Sequence, residues 1–284
     1  MKRIGYYNGE MGEVSTLRIP MQDRAMFFGD GVYDFVFACD GKFFALQDHI
    51  DRFFRSMSML EIDPPCTKEE LAKKLQMCLD ASESEGMASV YWQTSRGNCT
   101  RNHIFPPEGT PSTLLITVSP LKSPDWNRPL KLVTTEDTRF AHCNIKTLNL
   151  IPNVMAAEKA EKNGCQECVF VKDGLVTECA HSALVILKDG CLIAPPLDER
   201  ILPSITRMHV FAMAEKLGIP SQVRKMTLQE VLDADEVMVL STSKAITRAD
   251  TMDGKPVGMK DDNTFMKLRE AYFAWIEADT GYRM

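Results

Sequence analysis

The chain has 284 residues, 44% of them hydrophobic and 25% charged. That is the balance of an ordinary globular protein, and at about 150 residues per domain it predicts about two domains, with cores that need no disulfide or metal staple. The 33 Lys and Arg against 39 Asp and Glu give a net charge of -6, which excludes a global basic field for nucleic acid and leaves room for a local pocket for a small anion.

No apolar run approaches the roughly 18 residues of a membrane span, so no membrane partner is expected. The stretch from Met1 to Asn8 has no apolar core of a secretory signal. Nine cysteines, scattered from Cys39 to Cys191, predict reduced thiols and a cytoplasmic address. Cys165 and Cys168 have CxxC spacing but no second pair. They read as two small residues flanking the start of a strand, and no metal site is expected.

In chain order, residues 3–7 and about 13–18 read as strands on either side of the Asn8-Gly9 turn signal. Asp40-Gly41 joins strands over 32–38 and 42–46 into a hairpin. A helix over 48–60 follows, with Ile50, Phe53, Phe54, Met57 and Leu60 on one face. Thr67 and Glu70 form a capping box that opens a helix to about 84. Strands are predicted over 88–94 and 112–119. Pro120, Pro124 and Pro129 then mark a linker. Beyond it come a strand over 130–135, a helix over 152–162 closed by Gly164, and hairpins turning at Asp173-Gly174 and Asp189-Gly190. A helix over 204–217 ends at Gly218, Thr227 and Glu230 cap a short helix, 236–240 is a strand, and 263–279 is a terminal helix. The sum is two mixed α/β domains: a small one over 1–120, a linker over 121–129, and a larger one over 130–284. The second is richer in hairpins and suits a barrel-like sheet.

Several residues stand out chemically. Lys146 lies among the apolar residues Ile145, Leu148 and Leu150. Burial would favour its neutral amine, which forms Schiff bases with aldehydes; the alternative is a lysine at a strand edge with its head in solvent. Glu178 follows Leu175-Val176-Thr177, and is either on an exposed strand face or buried with a cationic partner. Arg101 and His103 sit two residues apart, so in extended chain both could grip one carboxylate; the alternative is a solvated loop. Ser204 opens a helix whose N-terminus suits a phosphate, unless Ser204 is simply its cap. Ser241-Thr242-Ser243, just after an apolar strand, is a second place for an anion. Gly29-Asp30-Gly31 lacks the third glycine and the βαβ unit of a dinucleotide fingerprint.

Taken in order, Phe28-Gly29-Asp30-Gly31-Val32-Tyr33, His49-Ile50-Asp51-Arg52, Asn144-Ile145-Lys146-Thr147-Leu148-Asn149, Val176-Thr177-Glu178, Ile201-Leu202-Pro203-Ser204-Ile205-Thr206-Arg207 and Ser241-Thr242-Ser243 resemble the motifs of the class IV aminotransferases, the fold-type IV pyridoxal-phosphate enzymes. Arg101-Asn102-His103 is similar to the Arg-x-His pair of the D-amino acid aminotransferases. The resemblance implies pyridoxal 5'-phosphate as cofactor, held by Lys146 as an internal aldimine. It implies that Glu178 pairs with the pyridine nitrogen, and that Arg52, Ile205, Thr206, Ser241 and Thr242 hold the cofactor. Tyr33, Arg101, His103 and Ser243 would bind the substrate carboxylate. It also implies a homodimer whose sites are completed across the interface, and ping-pong transfer between a D-amino acid such as D-alanine and a 2-oxo acid such as 2-oxoglutarate. Branched-chain L-amino acid transamination and aminodeoxychorismate lyase chemistry are the alternatives on this fold, with a non-catalytic pyridoxal-phosphate carrier behind them.

Two positions and one short run stand apart from the family pattern or from simple geometry. Arg52 lies roughly opposite the apolar stripe of its helix, which makes it a surface arginine by geometry. Cys179-Ala180-His181-Ser182-Ala183 departs from the family's small and polar run ending in asparagine, and His181 is expected to point outward. Ser204 stands where the family has glycine, where it could crowd an anion or donate to it.

Overall fold

The computed structural model of the protein describes residues 2–283. The chain divides into two compact units. The first runs to Ser123 and takes in Ile145–Asn149 and the chain from Ile276 onward; the second holds Pro124–Asn144 and Leu150–Trp275. The division therefore differs from a single cut in chain order, because two later segments return to the first unit.

In the first unit, β1 (Ile4–Tyr7) and β2 (Glu10–Glu13) form a hairpin. They are followed by α1 (Arg24–Phe28), β3 (Gly31–Cys39), β4 (Lys42–Phe43), α2 (Leu46–Met59), α3 (Lys68–Ala81), β5 (Met87–Ser95) and β6 (Thr113–Pro120). The six strands form an antiparallel sheet in the order β2-β1-β6-β5-β3-β4. The second strand begins directly after Asn8-Gly9, not at about residue 13, because a two-residue turn leaves no slack before pairing. The α2 stripe of Ile50, Phe53 and Met57 is buried, and Phe53 meets Trp92 of β5 edge-on at 5.9 Å. Thr67 and Glu70 make the expected capping box at α3.

The second unit comprises β7 (Leu130–Glu136), α4 (Ile151–Lys162), β8 (Glu167–Lys172), β9 (Leu175–Cys179), β10 (Ala183–Lys188), β11 (Cys191–Ala194), α5 (Ile205–Lys216), β12 (Ser221–Val223), β13 (Met226–Thr227), α6 (Leu228–Leu232), β14 (Glu236–Ser241), β15 (Ala245–Met252) and β16 (Lys255–Pro256). The last helix, α7 (Asp262–Thr280), begins in this unit. The ten-stranded sheet runs β12-β11-β10-β14-β15-β7-β8-β9-β13, with β16 on β15. Hairpins dominate it, and β7 pairs parallel with both β8 and β15. Its path curls without closing, a half-barrel. Strand β15 is absent from the sequence expectation, because Thr247, Arg248 and Asp250 interrupt the apolar run that would announce it.

Candidate active site

Lys146 belongs to a segment that docks on β3 of the first unit. The Tyr33 amide donates to the Lys146 carbonyl at 2.9 Å, and the Leu148 amide to the Gly31 carbonyl at 3.1 Å. This explains the glycines of the Gly29-Asp30-Gly31 motif. A Cβ on Gly31 would stand 2.2 Å from the Thr94 carbonyl oxygen and 2.8 Å from Leu148. Gly29 ends α1 in the left-handed region, and its carbonyl accepts from Asn149 at 3.0 Å. The docking brings Lys146 over the Tyr33 ring, with Nζ 4.3 Å from the centroid and 3.3 Å from Oη. Lys146 is thus a half-buried amine beside a hydroxyl, not a strand-edge lysine in solvent. Tyr33 is itself stacked on Tyr91, with centroids 5.4 Å apart.

Arg52 corrects the helical-wheel expectation. Its side chain is 10% exposed and forks onto the fully buried Asp34, Nε to Oδ2 at 2.9 Å and Nη2 to Oδ1 at 2.7 Å. His49 Nδ1 lies 2.8 Å from the same carboxylate. Burial by itself would raise the Asp34 carboxyl, but Arg52 and His49 hold it far below the usual carboxylate range. Burial also pulls the His49 imidazole down, against the attraction of Asp34.

Arg101 and His103 are exposed in a loop, not in extended strand. They nevertheless meet one group. The Arg101 guanidinium lies 5.0 Å from the Phe28 centroid and the His103 ring 5.2 Å from it. Arg24, buried, fixes the loop by donating to the carbonyls of Asn102 at 2.9 Å and Ile104 at 3.2 Å, while Asp30 accepts from Arg24 and Arg96.

In the second unit Glu178 lies near the end of β9, 7% exposed. It is buried with a cationic partner, so the exposed-face alternative falls. Arg139 Nη1 donates to Oε1, and the Leu202 amide donates to Oε2 at 3.2 Å. Arg139 is also gripped by Asp137, Nε to Oδ1 at 2.9 Å and Nη2 to Oδ2 at 2.7 Å, and lies 4.3 Å from the Phe170 centroid. Burial alone would raise the Asp137 carboxyl; Arg139 and Thr177 hold it below its usual range. Arg207 is the second cation facing Glu178. Burial draws its guanidinium down to about 10, against the pull of Glu178, so it stays charged at neutral pH. Two guanidiniums thus face one buried carboxyl group.

Ile205 and Thr206 are the first residues of α5 and both are buried. Ser204 is the cap, its Oγ accepting from the Arg207 amide at 3.2 Å. The cap alternative holds for its oxygen. Ser241 ends β14, and Thr242, Ser243 and Lys244 make the turn into β15, all half-buried. Within the departing segment, Asn153 of α4 donates to the Ala180 carbonyl at 2.7 Å, a support from outside the motif. His181 does not simply point outward. Its ring, 53% exposed, contacts both Glu167 and Lys244.

Each unit therefore presents a partial set. Lys146, Tyr33, Arg52, Arg101 and His103 belong to the first, and Glu178, Ile205, Thr206, Ser241, Thr242 and Ser243 to the second. Sequence reasoning singled out neither Asp34, Asp137 and Arg139 nor Glu167 and Lys244. The only local signal was the Asp137-x-Arg139 spacing.

The amino-transferase class IV family matches residues 31–251. The D-alanine aminotransferase of Staphylococcus haemolyticus is 34% identical over 281 residues, covering 96% of this chain and 98% of the relative. That of Listeria monocytogenes serotype 4b is 36% identical over 255 residues, 88% of each chain. Among solved structures, the branched-chain aminotransferase of Thermoproteus uzoniensis with norvaline matches with a TM-score of 0.86 at 22% identity, over 98% of this chain and 95% of that one. The branched-chain amino acid aminotransferase of Escherichia coli matches at 0.87 and 21%, over 100% and 96%. The chain belongs to the class IV aminotransferases and is a pyridoxal-phosphate-dependent transaminase of the fold-type IV architecture. The residues present fit that cofactor. A half-buried amine suits its aldehyde, a carboxylate between two arginines suits its ring nitrogen, and a capped helix N-terminus and a hydroxyl-rich turn suit its phosphate.

Proposed function

We propose that this transaminase moves the amino group of a D-amino acid, with D-alanine as the first substrate to test, onto a 2-oxo acid such as 2-oxoglutarate. The observation that carries the reading is the Arg101 and His103 pair. Two groups able to hold a carboxylate converge on Phe28 and are fixed there by Arg24. The full-length similarity to D-alanine aminotransferases supports it.

The bound cofactor supplies the electron sink that makes amino-group transfer possible. Lys146 would hold the cofactor aldehyde through Nζ and, once the substrate amine has displaced it, its freed amine would carry the substrate Cα proton, with the Tyr33 hydroxyl orienting it. Glu178, held by Arg139 and facing Arg207, would pair with the ring nitrogen and keep its proton there. Arg52, the amides of Ile205 and Thr206, and the hydroxyls of Ser241 and Thr242 hold the phosphate. Tyr33, Arg101, His103 and Ser243 bind the substrate carboxylate.

The active form is a homodimer in which each Arg101 and His103 serves the partner's site. The exposed Met21, Met26, Phe27, Ile104 and Phe105 around the same loops support an interface there. The protein works in the cytoplasm; its nine cysteines form no disulfide, and no described helix is long and apolar enough to cross a membrane.

The test is an absorbance titration of the purified holoenzyme. D-alanine should convert the cofactor spectrum and release pyruvate, while L-alanine and L-leucine leave it unchanged. Conversion by L-leucine alone would replace this substrate assignment with the branched-chain one.

A further inference from the structure

Behind the Ser241–Ser243 turn lies a cluster of charged side chains that has no role in the chemistry above. Glu167, the first residue of β8, is completely buried. Its Oε2 accepts from Lys244 Nζ at 2.8 Å and from Ser182 Oγ at 2.8 Å. Its Oε1 lies 3.2 Å from His181 Nδ1 and accepts from the Cys168 amide at 3.1 Å. Lys244 Nζ also lies 2.9 Å from His181 Nε2. An ammonium only donates, so Nε2 must accept and Nδ1–H must donate to Glu167; one neutral tautomer satisfies all three groups. Burial by itself would raise the Glu167 carboxyl, yet His181 and Lys244 bring it down to about 2.

The three residues come from three places. Glu167 stands on rigid β8, His181 in the turn just after Glu178, and Lys244 next to Ser243, its amide capped by Ser241 Oγ at 3.2 Å. We propose that Glu167, His181 and Lys244 form a brace that locks the Thr242–Lys244 turn to the turn behind Glu178, and so sets how tightly this chain holds the cofactor phosphate. They are positioning residues, since Lys244 and His181 spend their polar atoms on Glu167, on each other and, for Lys244, on the Gln166 carbonyl at 3.5 Å. The brace also accounts for the unusual Cys179–Ala183 run. A histidine at 181 reaches both partners, where a small residue reaches neither. The inference rests on the reading of Ser241 and Thr242 as phosphate ligands.

The experiment uses apoprotein titrated with pyridoxal phosphate, with inorganic phosphate, and with pyridoxal, which lacks the phosphate. Lys244→Met and His181→Leu should each weaken pyridoxal phosphate and inorganic phosphate about tenfold, the loss of a charged hydrogen bond. Pyridoxal binding should hold, although the apoprotein's melting temperature should fall, because each change removes a partner of the buried Glu167. His181→Gln, which keeps a donor and an acceptor, should recover most of the loss. Affinities for both phosphates within about twofold of wild type in Lys244→Met and His181→Leu would overturn the brace, as would an equal loss for pyridoxal. Thr242→Val separates the layers. If it leaves pyridoxal phosphate binding intact, the phosphate assignment of the turn fails and the brace with it. If it weakens binding while Lys244→Met does not, the brace alone fails.

Discussion

The two units hold their functional side chains in different ways. In the first, Lys146 leans on a hydroxyl and a ring, and Arg101 and His103 stand exposed against Phe28. None of the three is locked into a buried ion pair. In the second, Glu178, Arg139, Asp137, Glu167 and Lys244 are all charged, largely desolvated and mutually satisfied. The difference has a physical reason. A group that must meet substrate or move a proton needs an uncommitted atom, whereas a group that sets a fixed field is best held where water cannot screen it. The first unit contains its own exception. Asp34, His49 and Arg52 form a buried ionic cluster immediately behind Tyr33, so the strand that offers a reactive face on one side is anchored on the other.

The sharpest way to break this contrast is to remove one group from each side. Lys146→Ala should cost about 10^3-fold or more in single-turnover rate and leave the apoprotein's melting temperature nearly unchanged. Arg139→Met should do the reverse in kind. It strands Asp137 and Glu178 without their cation, and chemical denaturation should register a loss of about 3–5 kcal/mol. A stable Arg139→Met protein, or an unfolded Lys146→Ala one, would erase the distinction between the units.

A third test uses acid. Glu167 sits near 2 in the folded chain against about 4.5 when unfolded, so its contribution is complete above the higher value and is lost as pH falls toward the lower. That window is worth about 3 kcal/mol at 1.36 kcal/mol per unit. Acid unfolding followed by far-UV circular dichroism should show Glu167→Gln losing less stability than wild type between pH 4.5 and pH 2. Parallel curves would mean that the carboxylate gains nothing from its partners.

What could be read from the sequence divides along a similar line. The Asp-Gly hairpins, the Thr67 capping box and the α2 stripe were legible because each is written within a few residues. The motif glycines were visible too, but the reasons for Gly31 are the Thr94 carbonyl on a strand far along the chain and Leu148, farther still. The ion pairs were not legible. Arg139 and Glu178 are 39 residues apart and Glu167 and Lys244 are 77 apart. Periodicity reports which face is apolar, not which distant charge will be buried against it. Arg52 failed for that reason: opposite an apolar stripe is also where a buried Asp34 can wait.

Smaller effects sharpen the contrast. Arg101→Ala removes an exposed cation with no buried partner. It should raise KM for the amino acid about 10- to 100-fold, with a melting temperature close to wild type and a smaller change in kcat. A fall in kcat with KM unchanged would move Arg101 from carboxylate binding to the chemical step.

The last test compares one cap from each unit. Thr67 and Ser204 are both side-chain N-caps, accepting from the amides of Glu70 and Arg207. Thr67→Ala and Ser204→Ala should each cost about 1 kcal/mol in denaturation. The Ser204 oxygen is already committed to the helix, so pyridoxal phosphate affinity should change no more in Ser204→Ala than in Thr67→Ala. A selective loss of affinity at Ser204 would mean that its hydroxyl donates to the phosphate while its oxygen caps. A selective gain would mean that the side chain crowds the anion. Either result would place the Ser204 side chain against the phosphate, and a loss would add one hydroxyl donor to a unit whose other functional charges are already paired.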